Sequence, residues 1–99
     1  MDASEERETL EAVTGQEVEV ALESFPGSGA IWLHHNAAPE ILEFLGETRT
    51  ATDERIGGAV RQSFRFRADR PGSCELSFEL KRPWEREVRR RKTILVRVA

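Results

Sequence analysis

The sequence has only one cysteine among its 99 residues, which excludes an internal disulfide framework. Small secreted domains commonly rely on several disulfides, so a single cysteine favours a reducing compartment. The acidic N-terminus lacks the apolar segment of a signal peptide. No apolar run approaches the roughly 20 residues that a membrane-spanning helix needs. We therefore predict a cytoplasmic protein without membrane contact, while a leader removed before residue 1 would leave secretion or a periplasmic location open.

An excess of positive charge is also missing. The chain carries 15 Lys and Arg against 18 Asp and Glu, a net charge of -3. Because nucleic-acid-binding domains normally carry a positive charge, we predict no nucleic-acid partner. The basic residues between Arg86 and Lys92 are interpreted as solvent-facing side chains of a hairpin rather than as a patch for acidic partners. Charged residues of both signs make up 33% of the chain, and we predict a soluble monomer.

Residues that could perform catalysis or bind a metal are few and poorly arranged. Cys74 occupies an apolar position in an alternating segment, so we predict a buried thiol without the neighbouring base that a nucleophile needs. His34 and His35 are adjacent, and adjacent side chains of a strand point to opposite faces. No cluster of cysteine or carboxylate completes a zinc-like ligand set around them. We predict no catalytic residue, no metal site and no cofactor.

Apolar and polar residues alternate in several short segments that are separated by turn signals. The pattern is clear in Val18, Val20 and Leu22, and clearest over residues 74–81. A period of two is typical of a half-buried strand. Residues 74–81 and 93–98 are predicted to pair as an antiparallel hairpin. Six or seven short strands without a confident long helix, in a chain of one-domain length, predict an all-β, two-sheet antiparallel sandwich.

Two segments follow this pattern less well. Residues 1–13 are charged, and we predict a flexible acidic lead-in before a sandwich domain over residues 14–99. Residues 37–46 contain Pro39 followed by several apolar residues, which suits either a short helix with proline in its first turn or a strand. Because strands and turns flank this segment, we favour a short extended segment or one helical turn.

Three segments, 25–32, 56–63 and 81–87, interrupt the strands at intervals that would let a sandwich gather them at one end. They resemble the loops of the chagasin family of cysteine-protease inhibitors. That family typically has Asn-Pro-Thr-Thr-Gly-aromatic-x-Trp in its first loop, and this chain has Phe25-Pro26-Gly27-Ser28-Gly29-Ala30-Ile31-Trp32. The family's glycine-rich second loop matches Gly57-Gly58-Ala59-Val60, which precedes Phe64-Arg65-Phe66. Its third loop, Arg-Pro-Trp followed by Glu, is matched fully by Arg82-Pro83-Trp84-Glu85.

The resemblance implies an immunoglobulin-like β-sandwich that inhibits papain-like cysteine proteases reversibly and competitively, with its first loop over the catalytic cysteine. The protease-binding residues that it implies are Phe25, Pro26, Gly27, Ser28, Gly29 and Ala30 in the first loop, Gly57, Gly58, Ala59 and Val60 in the second, and Arg82, Pro83, Trp84 and Glu85 in the third. We expect Trp84 to be an exposed anchor. Arg82 is expected to pair with a carboxylate or stack on an aromatic ring across the interface. Trp32 is favoured as a core residue over a contact.

An alternative remains open: an immunoglobulin-like protein-binding module without potent protease inhibition. The first loop departs from the family pattern at three positions, where Phe25 replaces asparagine, Gly27 replaces threonine and Ala30 replaces an aromatic residue. A missing asparagine removes a side chain that can hold its own turn by hydrogen bonds to nearby backbone.

Overall fold

The computed structural model describes residues 4–52 and 58–99, which form two facing β-sheets. The strands are β1 (Ser4–Ala12), β2 (Glu17–Ser24), β3 (Ile31–Asn36), β4 (Leu42–Ala51), β5 (Val60–Ala68), β6 (Gly72–Lys81) and β7 (Arg90–Val98). One sheet has the order β1-β7-β6-β3 and the other has the order β2-β5-β4. The pairs are antiparallel except β1 with β7, which is parallel. The predicted two-sheet sandwich is confirmed. In the described ranges no helix is long and apolar enough to cross a membrane.

The core lies between the two sheets and follows the alternation of the sequence. Along β2 every second residue is buried, and Phe64, Phe66 and Phe78 are inaccessible to solvent. Full burial of one such side chain stabilises the fold by roughly 1.5–3 kcal/mol. Cys74 is 1% exposed in this core, which confirms the predicted buried thiol.

The predicted hairpin of β6 and β7 is confirmed. Cys74 pairs with Val96 and Leu76 pairs with Ile94, so the inward positions of the two strands coincide. Since this connection contains residues 82–89, the hairpin delivers the third predicted loop to the end of the sandwich where β6 finishes.

The N-terminal segment differs from the predicted flexible lead-in, because residues 4–12 form strand β1 beside β7. Its backbone groups find partners in β7, and the carboxylates of Glu6 and Glu8 pair with Arg90 and Lys92 at 2.6 and 3.1 Å. Each exposed ion pair contributes only about 0.2–1 kcal/mol, so backbone pairing and the burial of Ala12 matter more. Most described side chains of β1 are exposed, so this segment lacks the apolar alternation that marks a half-buried strand.

The ambiguous segment 37–46 contains both of the alternatives that its residues allow. Backbone N–H groups of Ile41 and Leu42 donate to the carbonyl of Ala38 at 2.9 and 3.1 Å, which forms a single turn. Strand β4 begins at Leu42, which is fully buried. A register shift between Phe44 and Gly46 then interrupts the pairing of β4 with β5.

His34 lies in an aromatic cluster on the inner side of β3. Its ring centroid is 4.4 Å from that of Phe44 and 5.3 Å from that of Phe64. Burial lowers the pKa of His34 below its ordinary value of 6.5, the nearby Glu47 carboxylate opposes this shift, and His35 adds to it. The folded state therefore favours the neutral imidazole.

This arrangement predicts that stability falls as the pH drops below 6.5. Because the pKa of His34 is lower in the folded than in the unfolded chain, the unfolded chain binds the proton more readily, and acid favours unfolding. We expect the urea midpoint of the native protein to decrease between pH 7.5 and 5.0 more than that of His34→Phe. His35→Gln is the control for the second histidine, and an equal decrease in the native protein and His34→Phe would contradict the prediction.

Candidate functional site

The three predicted loops lie at the same end of the sandwich. We call residues 25–30 loop 1, the described residues 58–60 loop 2 and residues 82–85 loop 3; Gly57 lies outside the described residues. The strand residues beside the loops pair with one another: Ser24 faces Val60, and Ile31 faces Lys81. The sheet registers thus gather loops that are far apart in sequence.

Loop 1 is held by hydrogen bonds of its own. Phe25 and Ala30 form an isolated bridge, and Pro26–Ser28 forms a 3-10 turn between them. The Ser28 hydroxyl donates to the Phe25 carbonyl at 2.7 Å and accepts from the Ala30 N–H at 3.3 Å. Ser28 therefore supplies the local turn-fixing bonds that an asparagine could have made.

Loop 3 contacts loop 1 directly through Trp84. A Cβ atom added to Gly29 would lie 2.8 Å from Cη2 of the Trp84 ring, so the ring occupies the space that any other side chain at Gly29 would need. Gly29 also has a φ of +84°, in the left-handed region that favours glycine. The indole is nevertheless 74% exposed. The structure thus confirms the expected exposure of Trp84 and shows that its ring lies against loop 1.

Arg82 ties the same two loops together. Its Nε donates to the Ser28 carbonyl at 2.7 Å, and its Nη1 donates to the Glu85 carboxylate at 3.0 Å. The backbone N–H of Glu85 in turn donates to the Arg82 carbonyl at 2.9 Å, which closes loop 3 into a turn. In the free protein Arg82 and Glu85 therefore bond within the chain, and Arg82 links loop 3 to loop 1. The pairing of Arg82 with a partner remains a prediction.

Loop 2 is anchored on the end of β4. The Ala59 carbonyl accepts from both the backbone N–H and the hydroxyl of Thr52, at 3.0 and 3.1 Å. Val60 then opens strand β5 opposite Ser24, whose hydroxyl donates to the Val60 carbonyl at 3.4 Å. The described part of loop 2 is therefore bonded to the end of β4 and leads into β5, and both strands lie in the same sheet as β2, which precedes loop 1.

Beneath the loops, Trp32 is a core residue, as the sequence favoured. It is 3% exposed, and its indole N–H donates to the Glu23 carbonyl at 2.7 Å. The sequence reasoning missed its neighbour Gln62, which is fully buried and bonded to the backbone of Trp32. Gln62 could have been noticed from the sequence, because it stands two residues before Phe64 and therefore faces the core despite being polar.

Two features of the described residues bear on catalysis: the arrangement of potential metal ligands and the environment of Cys74. No group of three or more His, Cys, Asp or Glu side chains that could hold a metal occurs in residues 4–52 and 58–99. Cys74 lies near the start of β6, at the opposite end from the loops, and burial raises the pKa of its thiol. A protonated thiol beside the amide oxygen of Asn36 at 3.0 Å is a poor nucleophile.

Comparisons with known proteins identify a family and a shared fold. The chagasin family peptidase inhibitor I42 model matches residues 11–98. The cysteine protease inhibitor EhICP2 from Entamoeba histolytica superimposes with a TM-score of 0.82 at 17% identity, covering 98% of this chain and 96% of that one. PbICP-C, solved in complex with falcipain-2, gives 0.78 at 18% identity, with 98% and 91% covered. Amebosin gives 0.61 at 16% identity, with 95% and 98% covered. No curated protein matches the sequence.

The two kinds of comparison carry different information. At these identities the solved structures establish the shared fold. The family model spans β2 to β7 and all three loops, and so establishes family membership from the sequence itself. The resemblance inferred from the loops is confirmed: the chain belongs to the chagasin family of peptidase inhibitors and is not an enzyme.

Proposed function

We propose that this chain inhibits papain-like cysteine proteases reversibly and competitively by presenting loops 1, 2 and 3 to the active-site cleft. Trp84 carries the proposal: a large aromatic side chain is 74% exposed, yet its ring rests on Gly29 in loop 1. Exposed aromatic anchors of this kind are enriched among residues that dominate binding energy. The structural relative PbICP-C was solved in complex with falcipain-2, which supports a protease as the partner.

Loop 1 suits the centre of a cleft because its tip is narrow. Gly27 and Gly29 have no side chains, so backbone can approach a protease surface closely. The 3-10 turn over Pro26–Ser28 and the two hydrogen bonds of the Ser28 hydroxyl hold this tip bent. A bent, hydrogen-bonded segment does not offer its peptide bonds as an extended substrate would. Loop 1 can therefore fill the cleft without being a good substrate.

The bonds between the loops should favour binding further. Arg82 joins the Ser28 carbonyl to Glu85 before any partner arrives. A surface that is ordered in advance loses less conformational entropy on association, which increases affinity without new contacts. The role of Arg82 in the proposed function is thus to hold Trp84 and loop 1 in one arrangement.

The proposal is tested by titrating papain and a cathepsin-L-like protease with the protein and following cleavage of a fluorogenic peptide. We expect saturable inhibition that raises the apparent KM and leaves kcat unchanged, because inhibitor and substrate compete for one cleft. Trypsin, which has a serine nucleophile, is the control and should retain its activity. No inhibition at about 10 μM, where about -7 kcal/mol of binding would still be detected, would contradict the proposal and favour the non-inhibitory binding module.

A further inference from the structure

Gln62 is a fully buried amide that pairs with the backbone of an edge strand. Its Oε1 accepts from the Trp32 N–H at 2.8 Å, and its Nε2 donates to the Trp32 carbonyl at 3.2 Å. The second Nε2 hydrogen has an acceptor in Glu47, whose Oε2 lies at 3.1 Å. The side chain thus bonds the backbone of Trp32 as a neighbouring strand would, at the edge of β3 that β6 leaves free.

Gln62 and Trp32 both lie directly behind the loops. Trp32 is the second residue after loop 1, and Gln62 is the second residue after loop 2. The two strands belong to different sheets, so the amide is a direct polar link between the sheets at the loop end. The Trp32 indole N–H also donates to the carbonyl of Glu23 in β2, so Trp32 is bonded to the strand that precedes loop 1 as well.

We infer that Gln62 is a positioning residue for inhibition: it sets where loop 1 lies relative to loop 2. This inference rests on the proposed function. Arg82 links loop 3 to loop 1 at the exposed side. Gln62 links β5, which follows loop 2, to β3, which follows loop 1, within the core. Without the amide, the N–H and carbonyl of Trp32 would be buried and unpaired, and the start of β3 would move to recover partners.

The experiment compares Gln62→Leu and Gln62→Asn with the native protein. Leucine keeps the approximate size but removes both bonds, and asparagine keeps the amide but shortens its reach. For variants that are folded at the assay temperature, we expect the inhibition constant for papain to rise by about tenfold or more, equivalent to about 1.4 kcal/mol of binding. Val98→Ala, which truncates the core at the opposite end of the sandwich, is the control and should lower stability without changing the inhibition constant.

Amide hydrogen exchange by NMR provides a readout that does not depend on any protease. In the native protein the Trp32 N–H should exchange slowly, because the buried Gln62 side chain accepts from it. In Gln62→Leu or Gln62→Asn this protection should fall and the signals of residues 27–30 should shift. Fast exchange in the native protein, or inhibition by both variants equal to the native level, would overturn the inference. Lack of inhibition by the native protein, with the Trp32 protection present, would instead contradict the proposed function alone.

Discussion

Trp84→Ala is expected to weaken binding to a papain-like protease by about 2–4 kcal/mol, the range measured for aromatic hot spots. This loss corresponds to a rise of about 30- to 700-fold in the inhibition constant. The ring is 74% exposed and is held in place by Gly29 beneath it and by the turn that Arg82 and Glu85 form around it. A side chain that is ordered before binding loses little conformational entropy when it is buried. Removing Trp84 should therefore remove nearly all of the binding free energy that its contacts provide.

The measurement is a titration of papain with the variant and the native protein, accompanied by thermal unfolding of each. Because Trp84 buries little surface in the free protein, the unfolding temperature should change little. Val13→Ala is the matched control: Val13 is apolar and 57% exposed, but it lies between β1 and β2, at the end opposite the loops. The control should inhibit as the native protein does. An unchanged inhibition constant for Trp84→Ala would remove Trp84 from the binding surface.

Gly29→Ala is expected to weaken inhibition by a different route, through the fit between loops 1 and 3. The new Cβ would lie 2.8 Å from Cη2 of Trp84, so the ring has to move away from loop 1. The φ of +84° adds a strain of roughly 1–2 kcal/mol for any residue with a side chain. We expect the inhibition constant to rise by about tenfold or more, equivalent to at least 1.4 kcal/mol. The free energy of unfolding should decrease only by this backbone strain.

Two comparisons separate the displacement of Trp84 from backbone strain. Gly15 has a φ of +93° and open space where its Cβ would be, so Gly15→Ala should show the strain without a change in inhibition. In the Trp84→Ala background, Gly29→Ala no longer displaces a ring and should change the inhibition constant much less than it does alone. Residues in contact are expected to show such non-additive effects. Equal effects of Gly29→Ala in both backgrounds would contradict the contact between Gly29 and Trp84.

The parts of the fold that were predictable are those in which one face of a strand is buried. Alternation identified β2 and β6, because a period of two brings every second side chain into the core. The hairpin of β6 and β7 followed from their proximity in the sequence. Strand β1 was not predictable in this way, since its partner β7 lies more than 80 residues away and supplies the pairing that the local sequence does not indicate.

Some features of the candidate site were likewise predictable from the sequence, and others were not. Turn-forming and aromatic residues marked all three loops, and the family pattern indicated that Trp84 is a contact. The sequence did not reveal that Arg82 bonds to loop 1, because its acceptor, the Ser28 carbonyl, is 54 residues away. Nor did it reveal the role of Gln62, whose bonds to Trp32 join residues 30 positions apart.

By itself, then, the sequence determined the strands with a buried face, the position of the loops along the chain and the family to which they belong. These properties depend on the period of side chains and on short motifs, both of which are local. The tertiary structure alone decided that β1 completes a sheet, that Trp84 rests on Gly29, and that Arg82 and Gln62 hold the loops from outside and from within. Each of these depends on a distance between residues far apart in sequence, which only the packing of two sheets establishes.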